Sequence, residues 1–215
     1  LLCLLFSILT WPLQAAEKPK KGTPGVRFEP VEKQMEGWKV HVDPAMLKGD
    51  HAEAGARALD MLANHLQRIT IFMPPEQLKT MRTLEIWIEH HHPTLGNMQY
   101  HPSASWLRAN RHDPALVKHV HIPRAKALFA PHMWAKHPYV VMHELAHAYH
   151  DQVLSFNNKE IIAAYEAAKK AGIYEKVMLY TGRKVKHYGL NNHKEYFAEA
   201  TEAYLGVNDF YPFVR

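Results

Sequence analysis

Cysteine is nearly absent from this chain. The 215 residues include one cysteine, Cys3, which lies inside an apolar N-terminal run. If that run is removed on maturation, the chain keeps no thiol. A disulfide framework and a thiolate metal site are therefore both excluded.

Long apolar runs and concentrated positive charge are missing as well. The run Leu1 to Leu13 is too short to span a bilayer comfortably, so no stable membrane span is expected. The 26 Lys and Arg residues are mixed with 21 Asp and Glu residues, and no basic stripe predicts a nucleic-acid partner. The formal net charge of +5 is compatible with plain solubility or with an anionic surface.

The N-terminal segment predicts export. Residues 1–16 have the pattern of a signal peptide, with small residues for cleavage near Ala15 or Ala16, and an uncleaved signal anchor is the alternative. Residues 17–26 are rich in Lys, Pro and Gly and predict a flexible tether. We expect a secreted or periplasmic protein whose residues 27–215 form one domain. Because the chain has no initiating Met, no basic n-region and no closing C-terminal element, we also expect it to be truncated.

Histidine is abundant, and two of the 17 histidines belong to the most informative motif. In His143-Glu144-Leu145-Ala146-His147 the two histidines are four residues apart, which places both rings on one face of a helix. This H-E-x-x-H arrangement is typical of zinc peptidases, in which the glutamate is the general base. No Gly or Pro interrupts positions 139 to 154, so a buried helix is predicted there. The alternative is a pair of hydrogen-bonded core histidines.

A third metal ligand is expected from a second helix. Glu195 and Glu199 are four residues apart and share a helical face. Such a pair of carboxylates ordinarily lies on the solvent-exposed face of a helix. Next to an H-E-x-x-H motif, one carboxylate would complete the metal shell and the other would orient a ligand histidine.

These motifs together resemble those of a known family. His143 to Asp151, Tyr188-Gly189 and Glu195 to Ala200 resemble the catalytic domain of anthrax lethal factor, a zinc metallopeptidase of the glutamate-zincin class. The matched motifs span residues 143–200, and the first 80 residues offer no comparable match.

The resemblance implies a role for each matched residue. His143, His147 and Glu195 would bind Zn²⁺, Glu144 would be the base, and Tyr188 would donate a hydrogen bond to the oxyanion. Two acidic residues, Glu199 and Asp151, match positions that support the ligands without binding the metal.

Several of these assignments have alternatives. Tyr188 could instead be an ordinary half-buried tyrosine. His187 beside it could then be the electrophile. Asp151 is compatible with a hydrogen bond to any neighbour, and His150 lies on a different helical face from His147. The triplet His90-His91-His92 resembles a metal-binding tract, but alternation along a strand would point its side chains to opposite faces.

The coarse pattern predicts an α+β fold. It indicates a hairpin within Phe28–Val42, helices at His51–Phe72, Asn158–Ala171 and His193–Leu205, a half-buried strand at Leu84–Glu89, and a turn around Thr181-Gly182-Arg183. Val117–Ile122 is predicted as a second strand, and as an edge that a substrate peptide joins. Met98–Arg111 is predicted as irregular, with Tyr100 and Trp106 in the cleft. A small twisted sheet packed on the H-E-x-x-H helix, with a C-terminal ligand helix, is the zincin arrangement.

The predicted function is a secreted zinc-dependent endopeptidase. Glu144 would assist attack of zinc-bound water on the peptide bond of a protein or peptide substrate. One alternative is a zinc-bound, non-catalytic protein that binds peptides or the cell wall. Another is a zinc amidase acting on peptidoglycan.

Overall fold

The computed structural model describes residues 27–214. The predicted signal peptide and tether, residues 1–26, lie outside the described residues. Residues 27–214 form a mixed α+β structure with seven α-helices and a five-stranded mixed sheet, which confirms the predicted class. Within this part of the chain, no helix has the length and apolar character needed to cross a membrane.

The elements alternate along the chain. The strands are β1 (Val31–Met35), β2 (Trp38–Val42), β3 (Ile86–Ile88), β4 (Gln99–Tyr100), β5 (Val120–Ile122), β6 (Val177–Met178) and β7 (Lys184–Val185). The α-helices are α1 (Ala52–Phe72), α2 (Pro75–Met81), α3 (Ala104–Ala109), α4 (Pro131–Lys136), α5 (Val140–Tyr149), α6 (Lys159–Ala171) and α7 (His193–Leu205).

The main sheet has the order β1-β2-β3-β5-β4. β1 and β2 form the predicted antiparallel hairpin, and Glu36 and Gly37 both have positive φ, as a tight two-residue turn requires. β3 pairs in parallel with β2 and with β5, whereas β4 is antiparallel to β5. The prediction that Val117–Ile122 forms an edge is therefore wrong, because the two-residue strand β4 lies outside it.

The core lies between one face of this sheet and helices α1 and α5. The sheet contributes alternate strand residues to the core: Val40, Val42, Ile86, Ile88, Val120 and Ile122. The two helices contribute Ala58, Leu62, Leu66, Ile69, Val141, Met142 and Leu145. This burial follows from the period of two in strands and of 3.6 in helices. The other face of the sheet is covered as well, because Trp87 of β3 is buried against Leu107 and Leu116, so the strand predicted as half-buried is buried on both faces.

The C-terminal part follows the predicted layout. α6 begins after Asn158, whose side chain accepts two backbone N–H groups, and β6 and β7 form a small hairpin. A 3₁₀ turn at Tyr188–Leu190 then leads into α7, which packs against α5. This packing brings the two candidate ligand helices together.

Candidate metal centre

Helix α5 places His143 and His147 on the same face, as their spacing predicts. Almost every side chain of the helix is buried, and the two rings lie 4.7 Å apart between centroids, edge to face. Their Nε2 atoms are 3.1 Å apart. The α-helix ends at Tyr149 and continues as a π-helical turn over His150–Leu154, so the predicted helix is regular over only its first part.

Helix α7 supplies the third group, Glu195. Asn192 precedes the helix, and its side-chain oxygen accepts the backbone N–H groups of Lys194 and Glu195. This cap fixes Glu195 in the first helical turn. The Glu195 carboxylate oxygen Oε2 lies 3.3 Å from Nε2 of His143 and 3.2 Å from Nε2 of His147.

The three atoms form a nearly equilateral triangle that fits a zinc ion. Tetrahedral zinc has ligand bonds of about 2.0–2.2 Å, which places neighbouring ligand atoms roughly 3.3–3.6 Å apart. The observed edges of 3.1, 3.3 and 3.2 Å are close to that range. A proton joins only one pair of atoms at a time, whereas a cation contacts all three. The donor set of two imidazoles and one carboxylate therefore fits the implied metal.

The electrostatics of the triangle favour a positive charge. Burial lowers the pKa of His143, but hydrogen bonds from Glu195 and Glu202 outweigh burial and raise the pKa well above its usual value. Burial raises the pKa of Glu195, but hydrogen bonds with the two histidines outweigh it and lower the pKa to about 2. The carboxylates around the two histidines therefore favour a positive charge at this point.

Glu144 lies beside the triangle and has only one observed hydrogen-bond partner. Its Oε2 accepts the backbone N–H of Tyr100 at 2.9 Å, and no hydrogen bond within residues 27–214 reaches Oε1. Burial is the largest cause of a raised Glu144 pKa, and the charges of His143 and His147 oppose it. A buried carboxylate with one free oxygen is suited to accepting a proton.

His143 is held from its other side by acidic residues of α7. Its Nδ1 lies 3.6 Å from Oε1 of Glu199, the predicted supporting residue, and 3.4 Å from Oε2 of Glu202. Sequence analysis missed Glu202. The available signal was its position seven residues after Glu195 and three after Glu199, which places all three on one helical face.

The two buried carboxyl groups differ in charge. Burial and the neighbouring Glu202 raise the pKa of Glu199 to about 7. Burial also opposes ionisation of Glu202, but hydrogen bonds with His137 and His143 outweigh it and lower its pKa. Asn208 donates to Glu199 at 2.8 Å and to Glu202 at 3.3 Å. Glu202 is therefore the stronger acceptor for the Nδ1–H of His143.

Asp151 has a different neighbour from the one expected of a ligand support. Its Oδ2 accepts the hydroxyl hydrogen bond of Tyr100 at 2.6 Å and also pairs with Lys118. The backbone of Tyr100 in turn donates to Glu144. Asp151 thus holds the strand that holds the candidate base.

Tyr188 reaches the same cleft from the turn before α7. Its side chain is 46% exposed, and no hydrogen bond within the described residues engages its hydroxyl. Partial burial, followed by the charge of Glu195, raises the pKa of Tyr188, which keeps the phenol protonated as a donor. His187 points inward instead, since its Nδ1 accepts the N–H of Gly189 and its ring packs on Phe210. The alternative of His187 as electrophile has no support in this arrangement.

The other histidines considered in the sequence, His150 and His90 to His92, do not belong to the triangle. His150 is fully buried among aromatic rings, and neither ring nitrogen has a hydrogen-bond partner among residues 27–214. The side chains of His90, His91 and His92 point in different directions, as alternation along a strand predicts. The ring of His90 stacks on that of His51, His91 is exposed, and Nδ1 of His92 accepts the N–H of Leu95.

The triangle lies in an open cleft of about 760 Å³. Tyr100 lines the cleft, as predicted, whereas Trp106 does not and instead stacks on His112. Four exposed cationic or potentially cationic side chains line it as well: Arg124, Lys126, His132 and Lys136. A volume of this size is typical of a ligand-binding cleft.

Comparison with known proteins gives no match. No family model, no curated protein and no solved structure is similar to this chain.

Proposed function

We propose that this chain is a zinc-dependent endopeptidase of the zincin type, exported from the cell. The observation that carries the proposal is the triangle of His143 Nε2, His147 Nε2 and Glu195 Oε2, with edges of 3.1–3.3 Å, at the floor of an open cleft. Three protein ligands leave one tetrahedral position free, which distinguishes catalytic from structural zinc sites.

The metal would be held by His143, His147 and Glu195. When bound, zinc lowers the pKa of a water molecule and polarises a carbonyl group. Glu202 would accept the Nδ1–H of His143 and so orient the ring with Nε2 toward the metal. These contacts orient the ligands before the ion arrives.

Glu144 is the proposed general base and later the general acid. Its free oxygen takes a proton from the attacking water, and its raised pKa makes return of that proton to the leaving amine easier. The Tyr188 hydroxyl donates a hydrogen bond to the oxygen that becomes negative during attack. Such a donor typically contributes on the order of 3 kcal/mol.

A protein or peptide substrate fits the cleft best. The edge strand β4 borders the cleft at the half-buried Gln99 and the buried Tyr100, so an extended peptide could lie alongside it at Gln99. Peptide hydrolysis uses each group described above: a base, an oxyanion donor and a metal with a free position.

The test is cleavage of casein and a peptide library by the zinc-loaded chain, with and without a chelator. We expect activity that the chelator abolishes and zinc restores. Glu144→Gln should retain zinc and lose activity on the order of 10³-fold. Glu166→Gln, an exposed glutamate on α6, is the matched control and should remain active.

The same assay separates the alternatives. Zinc binding without turnover of any peptide would indicate the non-catalytic binding protein. Release of peptidoglycan fragments, detected by mass spectrometry, without peptide cleavage would indicate the amidase. Full activity of Glu144→Gln would remove the base assignment.

A further inference from the structure

A second group of histidines lies on the opposite face of the main sheet. Val40 and Val42 of β2 face the core, so His41 between them faces the other way. Glu85 and His119 directly precede β3 and β5, which are hydrogen-bonded neighbours. The three side chains converge beside Trp87, whose ring stacks on His41 at 5.4 Å and meets His119 edge-on at 5.8 Å.

The polar atoms of this group converge on one point. Glu85 Oε2 is 2.5 Å from His41 Nε2 and 3.4 Å from His119 Nε2. All three ligand atoms lie within 4.8 Å of one another. His119 Nε2 is buried and has no hydrogen-bond partner among the described residues.

Both rings are oriented so that Nε2 is the inward atom. His119 donates its Nδ1–H to the carbonyl of Val117 at 2.9 Å, which leaves a lone pair on Nε2 directed toward a carboxylate oxygen. Two lone pairs at that distance repel unless a cation lies between them. His41 Nδ1 lies 3.9 Å from Oε1 of Glu32. That distance is too long for a hydrogen bond, so only His119 is held by its other ring N–H in the way typical of metal-binding histidines.

We propose that His41 Nε2, Glu85 Oε2 and His119 Nε2 form a second binding site for a divalent cation of the zinc type. Two imidazoles and one carboxylate are a donor set that zinc accepts readily. The site is separate from the α5–α7 centre, because it lies on the far face of the sheet. It does not depend on the proposed peptidase activity.

Binding requires one small adjustment. The 2.5 Å separation of His41 and Glu85 must open to roughly 3.3 Å for two ligands of one zinc ion. The Glu85 side chain is 34% exposed, so it has room to move. Lys39 Nζ lies 3.1 Å from the other oxygen, Oε1, and competes with the cation for this carboxylate.

An occupied site would cross-link the sheet. Its ligands come from β2 and from the residues that directly precede β3 and β5, so one ion would join three adjacent segments. A ligand that binds only the folded state stabilises it in proportion to occupancy. We therefore assign this site a structural role.

Zinc stoichiometry by equilibrium dialysis tests the proposal. The full chain should bind two zinc ions, and either His119→Gln or His147→Ala should reduce this to one. The double variant should bind none. His91→Gln, an exposed histidine, is the matched control and should still bind two. A His119→Gln protein that binds as many ions as the wild type would overturn the proposal, whatever the peptidase assay shows.

A second variant does not depend on removing a ligand. In the His147→Ala background, Lys39→Gln should tighten binding at the remaining site several-fold, because the competing ammonium group is gone. The melting temperature should rise with added zinc in this background and not in the His119→Gln, His147→Ala double variant. Unchanged affinity in Lys39→Gln, or a melting temperature that does not respond to zinc, would contradict the site.

Discussion

Replacing Glu202 by glutamine tests the least expected part of the candidate metal centre. Glu202 Oε2 lies 3.4 Å from His143 Nδ1. With an effective dielectric constant near 20, unit charges at this separation attract by about 5 kcal/mol. Glutamine keeps an oxygen acceptor and loses only the charge, so we expect a smaller loss. A fall in zinc affinity of about 10–100-fold, or roughly 1.4–2.7 kcal/mol, is typical for such a supporting residue.

The assay is competition for zinc with a chromophoric chelator at pH 6, where the pKa of about 7 leaves Glu199 mostly protonated. Glu199→Gln is the matched comparison: it removes a carboxyl group that is already largely uncharged, so its zinc affinity should change little. Circular dichroism verifies that both variants fold. Equal affinity for wild type and Glu202→Gln, or a larger loss in Glu199→Gln, would refute the assignment of Glu202 as the carboxylate that orients His143.

Three further predictions concern catalysis, positioning and stability. Tyr188→Phe should lower kcat on the order of 10²-fold with little change in KM, and an unchanged kcat in steady-state kinetics would return Tyr188 to a structural role. Asp151→Asn should lower kcat, because Asp151 holds Tyr100, whose backbone bonds to Glu144. Zinc affinity, measured by chelator competition, should stay the same. A loss of zinc affinity would instead favour the role predicted from the sequence, in which Asp151 supports a metal ligand. Burial, followed by the charge of Arg68, lowers the pKa of His65 to about 3. The folded state therefore keeps this ring neutral, whereas the unfolded state takes up a proton below about pH 6.5. His65 therefore contributes stability that is complete above pH 6.5 and is lost as the pH falls toward 3. Urea unfolding should show that wild type loses about 2 kcal/mol more than His65→Gln between pH 7.5 and pH 5, and parallel pH profiles would contradict this.

Elements with a long, regular pattern could be predicted from the sequence. The helix expected at His51–Phe72 is observed at Ala52–Phe72, and the helix expected at His193–Leu205 has those bounds. Each carries apolar residues at helical spacing over three turns or more, so packing and pattern agree. The same regularity brought Glu195 to the face that meets α5.

Short and irregular elements could not be predicted in this way. Strand β4 has two residues, too few for any alternation, and it lies in a segment predicted as irregular. Because β4 pairs outside β5, the expected edge strand became an interior one. The partners of Asp151 depend on the same segment, since Tyr100 is part of β4. Non-local pairing of this kind leaves no periodic signal in one sequence.

The two ligand helices also touch at their far ends. Gly206 ends α7, and a Cβ atom there would lie 2.3 Å from the ring of Tyr139, the residue that precedes α5. Gly206 is eleven residues beyond Glu195, which corresponds to about 16 Å of helix. α5 and α7 are therefore in contact both near Glu195 and near Gly206. A larger side chain at position 206 would collide with the ring of Tyr139, so we expect it to disturb the packing of α7 on α5 and, through it, the position of Glu195.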